Sequence, residues 1–240
     1  MRLDKLLAHS GFGTRKEVKE LIKQGYVSVN GETIKKDKTQ VDPTFDDIQV
    51  DGEKIIYEEY VYYMLNKPAG YVSATVDNVY PTVVELIDDY YRDDLFPVGR
   101  LDVDTEGLLL MTNDGVLAHQ LLSPKKHCPK VYFAKINGVV DEDDIEKFKK
   151  GIMIDDDYQC QSAQLHIIET DEATSEITVE IYEGKFHQVK KMFLAIGKEV
   201  TYLKRIRKKN LELDESLALG EYRRLTNEEL DRLKDESMLQ

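Results

Sequence analysis

The sequence predicts an α+β protein in which a small amino-terminal module precedes a larger domain with a mixed, mostly antiparallel sheet. Residues 1–55 carry two short helical patterns followed by a hairpin signal. Further along the 240 residues, strand-like apolar runs alternate with helical patterns. The polar stretch "VDGEKIIYEEY" separates the two regions. We therefore expect domains at residues 1–59 and 60–240.

In the amino-terminal module, apolar residues at helical spacing predict helices over residues 2–8 and 14–24. Thr14 forms a capping-box pattern with a glutamate three residues later, and Gly25 is expected to end the second helix. The pair Asn30-Gly31 predicts a tight hairpin between two short strands. These elements predict a small folded module.

Basic side chains recur at spacings of three and four along the second helix, so that most of them share one face. They are Arg15, Lys16, Lys19 and Lys23. Such a row fits the phosphate backbone of a nucleic acid, and it also fits a solvated helix face. The whole chain carries a formal net charge of -13. This acidic balance argues against a protein that coats nucleic acid through bulk positive charge.

In the larger domain, strands are predicted at residues 60–67, 108–112, 130–138 and 175–184, and helices at 82–91, 115–124, 141–152 and 186–197. A last helix is expected to begin after Thr226 and to run toward Lys234. A strand-like basic run, "KRIRKK", covers residues 204–209. Neither a secretory signal nor a membrane-spanning run is visible, which predicts a soluble, cytoplasmic protein. Two cysteines are too few for a disulfide framework or a zinc site, and we expect no metal.

The stretch "FPVGRLDVDTEGLLLMTNDG" sets a charged loop directly before an apolar strand at residues 96–115. An aspartate in such a loop can be a surface residue, a loop-stabilising cap, or a nucleophile held rigidly by the strand. The residues alone leave these alternatives open for Asp102. Asp104, Glu106 and Asp114 are interpreted as loop and turn residues.

Two families resemble this chain. The stretch "TRKEVKELIKQGYVSVNGETIKK" resembles the S4 RNA-binding domain, over roughly residues 1 to 50. The segment "PVGRLDVDTEGLLLMTNDG" resembles the signature of the pseudouridine synthases, and further family motifs are resembled by "YMLNKPAGYVSAT", "SPKKHCPKVYFAKI" and "EGKFHQVKKMFLAIG". The combination most closely resembles the RsuA type, which modifies uridine 516 of small-subunit (16S) rRNA. It implies 16S rRNA or an assembling small ribosomal subunit as the partner of a protein that we expect to be a monomer.

The resemblance makes Asp102 the expected catalytic nucleophile. Conversion of uridine to pseudouridine breaks the bond from the sugar to N1, turns the base and rejoins the sugar to C5, so we expect no cofactor. Attack on C1′, attack on C6 and elimination to a glycal remain open. Because burial favours the protonated form of an acid, an ionised carboxylate in a water-poor pocket needs a cation. The family pattern places that cation at Lys190, with Lys191 as its adjacent competitor.

The resemblance also implies that Tyr132 stacks on the flipped uracil, and alternation in its strand places it opposite Val131 and Phe133. Arg100 is expected to face the same way as Asp102 and to contact RNA. Residues expected to bind RNA besides the helix-face set are Asn30, Lys67, His187, Lys204 and Arg205. Two alternatives remain, a 23S rRNA pseudouridine synthase of the same family and a non-catalytic RNA-binding assembly factor.

Overall fold

The computed structural model describes residues 1–55, 57–88, 94–123, 127–155 and 157–235. Within these residues the chain folds into two compact units. The first comprises Met1–Val61 with Ile87–Leu95, and the second comprises Tyr62–Leu86 with Phe96–Gln240. The division at residues 59 and 60 stays a prediction. No sequence pattern indicated that Ile87–Leu95 would join the first unit.

The first unit contains two helices and a small antiparallel sheet with the strand order β2-β1-β3-β4. Its elements are α1 (Leu3–His9), α2 (Arg15–Gln24), β1 (Val27–Val29), β2 (Glu32–Thr33), β3 (Ile48–Val50) and β4 (Glu53–Lys54). The predicted capping box is present, because the Thr14 hydroxyl accepts the Glu17 amide and the Glu17 carboxylate accepts the Thr14 amide. Gly25 ends α2 with a φ of 85°, a left-handed conformation that favours glycine.

The second unit is built around one large sheet. Its strands are β5 (Tyr62–Lys67), β6 (Phe96–Pro97), β7 (Glu106–Thr112), β8 (Lys130–Asn137), β9 (Met153–Ile154), β10 (Tyr158–Gln159), β11 (Gln164–Thr170), β12 (Thr174–Ile181), β13 (Glu199–Lys208), β14 (Leu211–Glu212) and β15 (Tyr222–Arg224). Its helices are α3 (Gly115–Leu122), α4 (Glu142–Lys150), α5 (Gln188–Ala195) and α6 (Asn227–Lys234), with a 3-10 turn at Val83–Leu86.

The main path of the sheet runs in the order β11-β12-β8-β13-β7-β5-β15. Among the pairings of the described strands, β13 with β7 is parallel and the others are antiparallel. Strand β7 lies inside the sheet between β13 and β5, and Leu108, Leu109, Leu110 and Met111 are all buried. A continuous apolar run is expected of a strand covered on both faces. The predicted mixed, mostly antiparallel α+β fold is confirmed.

Gly107 allows β7 and β13 to come together. It has a φ of 99°, and a Cβ atom at this position would lie 2.3 Å from the backbone oxygen of Arg205. Glycine adopts this φ without strain and leaves room for the neighbouring backbone. The parallel pairing of Arg205 with Gly107 therefore depends on the absence of a side chain.

Two sequence predictions need correction or restriction. The helix predicted at 82–91 is a 3-10 turn over Val83–Leu86 in its described part, and residues 89–91 lie outside the described residues. Residues 124–126, part of the predicted helix at 115–124 and of the motif at 123–136, also lie outside them. Strand β11 was not predicted. None of the helices in the described residues has the length and apolar character that crossing a membrane requires.

Candidate active site

The loop that carries Asp102 is fixed from beneath by a buried lysine. Lys67 ends β5 and is fully buried, and its ammonium donates hydrogen bonds to the carbonyl oxygens of Pro68 (3.0 Å), Asp102 (3.0 Å) and Thr105 (2.8 Å). Burial lowers the pKa of Lys67 to about 8, against the opposing effect of nearby carboxylates, first that of Asp102. The prediction that Lys67 meets RNA phosphate is therefore wrong, because its hydrogen bonds are made inside the protein.

Two further contacts hold the same loop. Ser73 donates its hydroxyl to the carbonyl of Leu101 and accepts the Leu101 amide, both at 3.0 Å. The amide of Gly70 donates to the carbonyl of Val103 at 2.7 Å. The backbone on both sides of Asp102 is thus bonded to the segment that follows β5. A site residue on such a fixed backbone keeps its geometry better than one on a free loop.

The Asp102 carboxylate faces two basic side chains from the region of α5. Its Oδ2 lies 3.6 Å from Nζ of Lys190 and 3.7 Å from Nε2 of His187. Lys191 points elsewhere and pairs with Asp155 at 2.5 Å. Successive residues on a helix are rotated by about 100°, so adjacent lysines face different neighbours. The structure therefore selects Lys190 rather than Lys191 as the cation beside Asp102.

Asp104 also reaches the Lys190 ammonium, at 2.6 Å, and this distance is shorter than that to Asp102. Partial burial works to raise the pKa of Asp104, but the hydrogen bond and the charge of Lys190 outweigh it and hold that pKa below its ordinary value. The interpretation of Asp104 as a loop residue with no part in the site is therefore corrected. Asp114, in contrast, caps α3, and Glu106 accepts the Tyr202 hydroxyl.

A network around Glu183 positions the start of α5. The Glu183 carboxylate accepts hydrogen bonds from the Tyr158 hydroxyl (2.5 Å), the Gln161 amide (2.9 Å) and the Gln188 side chain (2.7 Å). His187 directly precedes the helix in a left-handed conformation with a φ of 53°. A non-glycine residue with this φ is uncommon and is kept only where the surroundings fix it. The network thus aims His187 and the first turn of α5 at Asp102.

Asp102, His187 and Glu183 line one cleft of about 710 Å³, and Arg100, Tyr132 and Arg205 line it as well. Tyr132 is 8% exposed and lies on β8 directly opposite Arg205 on β13. Val131 lines a second cavity of about 670 Å³ instead. The predicted alternation of β8 is therefore confirmed for Val131 and Tyr132. The structure brings together Asp102, Lys190, Tyr132, Arg100 and His187.

Lys204 and Arg205, both expected to bind RNA, do not lie on one continuous surface, and their contacts with RNA stay a prediction. Lys204 lines the second cavity, whereas Arg205 lines the cleft, because neighbours on a strand point to opposite faces. Arg205 is also 2% exposed, and its Nε donates to the carbonyl of Leu108 at 2.8 Å. Strand β13 runs between β8 and β7, so part of its basic run is buried in the unit.

In the first unit, the four predicted basic residues of α2 are all exposed. Lys19 lies 3.8 Å from Asp37. Asn30 is exposed, but its side-chain amide donates to Asp46 and its oxygen accepts the Asp47 amide, both at 2.9 Å. These bonds join the hairpin to the segment before β3 and give Asn30 a structural role that the sequence pattern did not indicate.

Sequence reasoning missed Lys208 and Glu183 as cleft residues. Alternation from Arg205 would place Lys208 on the opposite face, but the pairing of β13 with β8 shifts between Arg205 and Arg207. A β-bulge of this kind adds one residue to a strand and restores residue i+3 to the same face. No pattern in the sequence marks the bulge. Among the described residues, no group of three or more His, Cys, Asp or Glu side chains is placed to hold a metal ion.

The two-unit α+β fold, with a carboxylate in the loop before β7 and a lysine on α5 beside it, agrees with the RNA-modifying enzymes that the sequence motifs resemble. The family model for RNA pseudouridylate synthase matches residues 61–195, and that for the S4 domain matches residues 1–48. The chain therefore belongs to the RNA pseudouridine synthase family and carries an S4 domain.

Individual relatives agree with this family. The chain is 48% identical to the uncharacterized RNA pseudouridine synthase YtzG of Bacillus subtilis, over 98% of this chain and 99% of the relative. It is 40% identical to ribosomal small subunit pseudouridine synthase A of Vibrio vulnificus (96% and 98% covered). It is 39% identical to ribosomal large subunit pseudouridine synthase B of Bacillus subtilis (97% and 95% covered). A pseudouridylate synthase crystal structure is 38% identical with a TM-score of 0.69, covering 97% of this chain and 99% of that chain.

Proposed function

We propose that this protein converts one uridine of small-subunit (16S) rRNA to pseudouridine, with uridine 516 as the target and Asp102 as the catalytic residue. The observation that carries the proposal is that Asp102 lines one cleft with Tyr132 while its carboxylate lies 3.6 Å from the Lys190 ammonium. The small-subunit relative, 40% identical over nearly the whole length of both chains, supports the choice of substrate.

A second candidate is the same reaction on large-subunit (23S) rRNA. The large-subunit relative is 39% identical over a similar share of both chains, so identity does not separate the two substrates. The motif combination of "SPKKHCPKVY" with "HQVKKMF" favours the small subunit. Both candidates use the same cleft and the same chemistry, and they differ in the RNA that the protein binds.

In the proposed reaction Asp102 provides the ionised carboxylate that acts on the nucleotide. Attack on C1′, attack on C6 and removal of a proton on the way to a glycal all need this negative charge. Lys190, at 3.6 Å, stabilises it, and the buried Lys67 keeps the backbone of the loop in place. Because the base must leave its stack to reach the cleft, Tyr132 provides an aromatic surface against which it rests.

RNA outside the cleft is the proposed ligand of the first unit. The exposed side chains of Arg15, Lys16, Lys19 and Lys23 on α2 match the negative phosphate backbone. Arg100, exposed at the mouth of the cleft, is placed to contact a phosphate of the flipped nucleotide. We still predict that the protein is a monomer and cytoplasmic, and that it acts on free 16S rRNA or on an assembling small subunit.

The experiment that tests this proposal maps pseudouridine in both rRNAs from cells that contain the wild-type protein, no protein, or Asp102→Asn. We expect one site in 16S rRNA that is present with the wild-type protein and absent in the other two strains. Asp171→Asn is the matched control, because Asp171 stabilises an exposed turn where asparagine is also favourable. This control should keep the modification.

Three other outcomes have distinct meanings. A missing site in 23S rRNA supports the large-subunit candidate. Identical maps in all strains contradict the enzyme function and leave the non-catalytic RNA-binding factor. Modification that persists with Asp102→Asn but is lost without the protein keeps the activity and removes Asp102 from its centre.

A further inference from the structure

Three basic side chains line the cleft apart from the groups that surround Asp102, and two of them are buried while the third is partly buried. They are Lys130, Arg205 and Lys208. Within the described residues, none of the three forms an ion pair with a carboxylate. Each makes one hydrogen bond to a backbone carbonyl, namely that of Cys128 (2.7 Å), Leu108 (2.8 Å) and Val98 (2.5 Å) respectively. We call these three side chains the cation floor.

Part of the donor capacity of the cation floor is unused. Nη2 of Arg205 is buried and has no hydrogen-bond partner among the described residues. A lysine ammonium has three donors and a guanidinium has five, so one carbonyl each leaves donors available. Buried donors without partners cost stability, and they are retained where a ligand completes them. The cation floor is thus complementary to a ligand that carries several acceptor oxygens or a negative charge.

The pairing of β8 with β13 brings the positive charges of the cation floor to one place. Lys130 pairs with Lys208 across β8 and β13, and Tyr132 pairs with Arg205 next to them. The bulge in β13 turns Lys208 to the same face as Arg205. Gly99, with a φ of 86°, leaves the space above Lys208 open, since a Cβ atom there would lie 3.5 Å from its Nζ and 3.0 Å from a methyl group of Leu122.

Burial and repulsion between neighbouring positive charges both lower the pKa values of the two lysines of the cation floor. Burial, and then the charge of Arg205, lower the pKa of Lys208 to about 7. Burial also lowers the pKa of Lys130, against the opposing effect of Cys128 and with a further contribution from Arg205. A bound anion would favour the charged form of both lysines and offset this repulsion.

The depth of the cation floor in the cleft favours a base over a phosphate as its ligand. Arg205 is 2% exposed and Lys208 is likewise 2% exposed, whereas Arg100 at the mouth of the cleft is exposed. When a nucleotide flips into a cleft, its base enters deepest and its phosphates remain near the surface. The ring of Tyr132, beside Arg205, provides a flat surface for a base. A planar ligand with acceptor oxygens on its edge therefore fits the cation floor better than a phosphate does.

We propose that the cation floor is a subsite for the uracil base in its anionic state, after its bond to the sugar has broken. This inference rests on the proposed function. When the C1′–N1 bond breaks, both electrons of the bond stay on the base, and its negative charge spreads over N1, O2 and O4. The bond from C5 to C1′ then forms with an electron pair of the anion, which makes the base neutral, and the proton on C5 is released while one proton is added to N1. Donors aimed at charge that develops during a reaction accelerate it and retain the intermediate.

The test compares two free bases as ligands of the full-length protein at pH 7. The probes are 5-nitrouracil, which is largely an anion at this pH, and uracil, which is neutral. We expect isothermal titration calorimetry to show that the wild-type protein binds 5-nitrouracil at least about tenfold more tightly than uracil, a difference of about 1.4 kcal/mol. Lys208→Met and Lys130→Met remove charge while keeping an unbranched side chain, and both should lose most of this preference.

Lys204→Met is the matched control, because it removes the same charge from the same strand but on the face of the second cavity. It should keep the preference. Circular dichroism melting checks that each variant is folded, and Lys130→Met, at a less buried position, still tests the subsite if Lys208→Met does not fold. A wild-type protein without preference for the anion contradicts the subsite, as does a preference that survives in both variants.

Two further measurements separate the subsite from a phosphate site and from the proposed function. Inorganic phosphate that displaces 5-nitrouracil, and whose binding weakens in the same variants, would make the cation floor a phosphate site and overturn the inference. Asp102→Asn should abolish pseudouridine formation yet keep or increase the preference, since it removes a repelling carboxylate. Preference for the anion in a wild-type protein that forms no pseudouridine would refute the proposed function and leave the subsite standing.

Discussion

At the scale of single residues, the main feature of the site is that one ammonium serves two carboxylates. Nζ of Lys190 lies 2.6 Å from Asp104 and 3.6 Å from Asp102. The Asp104 side chain is largely exposed, so its pair with Lys190 is screened by water and is weak. Bound RNA that excludes water from the cleft would strengthen the interaction of Lys190 with the more buried Asp102.

The first prediction concerns the charge of Lys190. Lys190→Met should slow pseudouridine formation in single-turnover assays by about 10- to 100-fold, which corresponds to a loss of about 1.4 to 2.8 kcal/mol of transition-state stabilisation. Lys190→Arg, which keeps the positive charge, should restore much of the rate. Lys191→Met is the matched control, since Lys191 pairs with Asp155. Equal effects of the two methionine variants would show that Lys190 has no special role.

At the scale of secondary-structure elements, β13 shapes the site. It brings Arg205 and Lys208 into the cleft beside Tyr132 of β8, and it pairs with β7 directly after the loop that carries Asp102. Both arrangements depend on local irregularities, the bulge near Arg205 and the glycine at position 107.

The second prediction tests the approach of β13 to β7. Gly107→Ala should lower the free energy of unfolding by about 3 kcal/mol or more, because the new methyl group meets the backbone of Arg205 and the φ is unfavourable. Gly220→Ala has a similar φ of 88° but meets no atom within 4 Å, so it should cost about 1 kcal/mol. Urea unfolding followed by circular dichroism measures both. Similar losses in the two variants would show that the close approach does not limit stability.

The third prediction concerns α2. Arg15→Glu combined with Lys19→Glu should weaken binding of an rRNA fragment. The slope of the logarithm of the binding constant against the logarithm of the salt concentration should become shallower by roughly 1.5 to 2 if two phosphate contacts are lost. Lys149→Glu with Lys150→Glu changes the net charge equally at exposed positions of α4. Filter binding across a salt series compares the two double variants. The same slope in both would mean that α2 presents a solvated face and no RNA-binding surface.

At the scale of the whole molecule, the second unit of this acidic protein contains buried basic side chains. The formal net charge is -13, yet Lys67, Arg205 and Lys208 are buried in the unit that carries the cleft. Burying a charge without a partner of opposite sign destabilises a fold. The stability of the molecule should therefore respond to the protonation of these lysines.

The fourth prediction follows from the Lys208 pKa of about 7. Between pH 7 and the ordinary lysine value of about 10.4, the unfolded chain binds a proton that folded Lys208 has released. Rising pH in this range therefore stabilises the fold, by up to about 1.4 kcal/mol per pH unit. The difference in unfolding free energy between the wild type and Lys208→Met, measured in urea at pH 7, 8 and 9, should rise accordingly. Parallel pH profiles would contradict a depressed pKa.

Local patterns predicted much of this molecule because the interactions that fix them are close in sequence. The capping box at Thr14, the left-handed Gly25 and the hairpin at Asn30-Gly31 each depend on a few neighbouring residues, and all three are present. The continuous apolar run of β7 likewise indicated a buried strand, and its apolar residues are buried. These features follow from local chain geometry and from the transfer of apolar side chains out of water.

The loop at 96–115 shows where the sequence alone determined the outcome and where the tertiary structure decided it. Its motif, together with the S4-like start, was sufficient to predict the family and to single out Asp102. Only the tertiary structure decided that Lys67 holds the loop, that Lys190 rather than Lys191 faces Asp102, and that Arg205 and Lys208 line the floor of the cleft. These contacts join residues from 35 to more than 100 positions apart. The direction of such a side chain depends on a strand register and a bulge set by distant partners, which a local pattern does not contain.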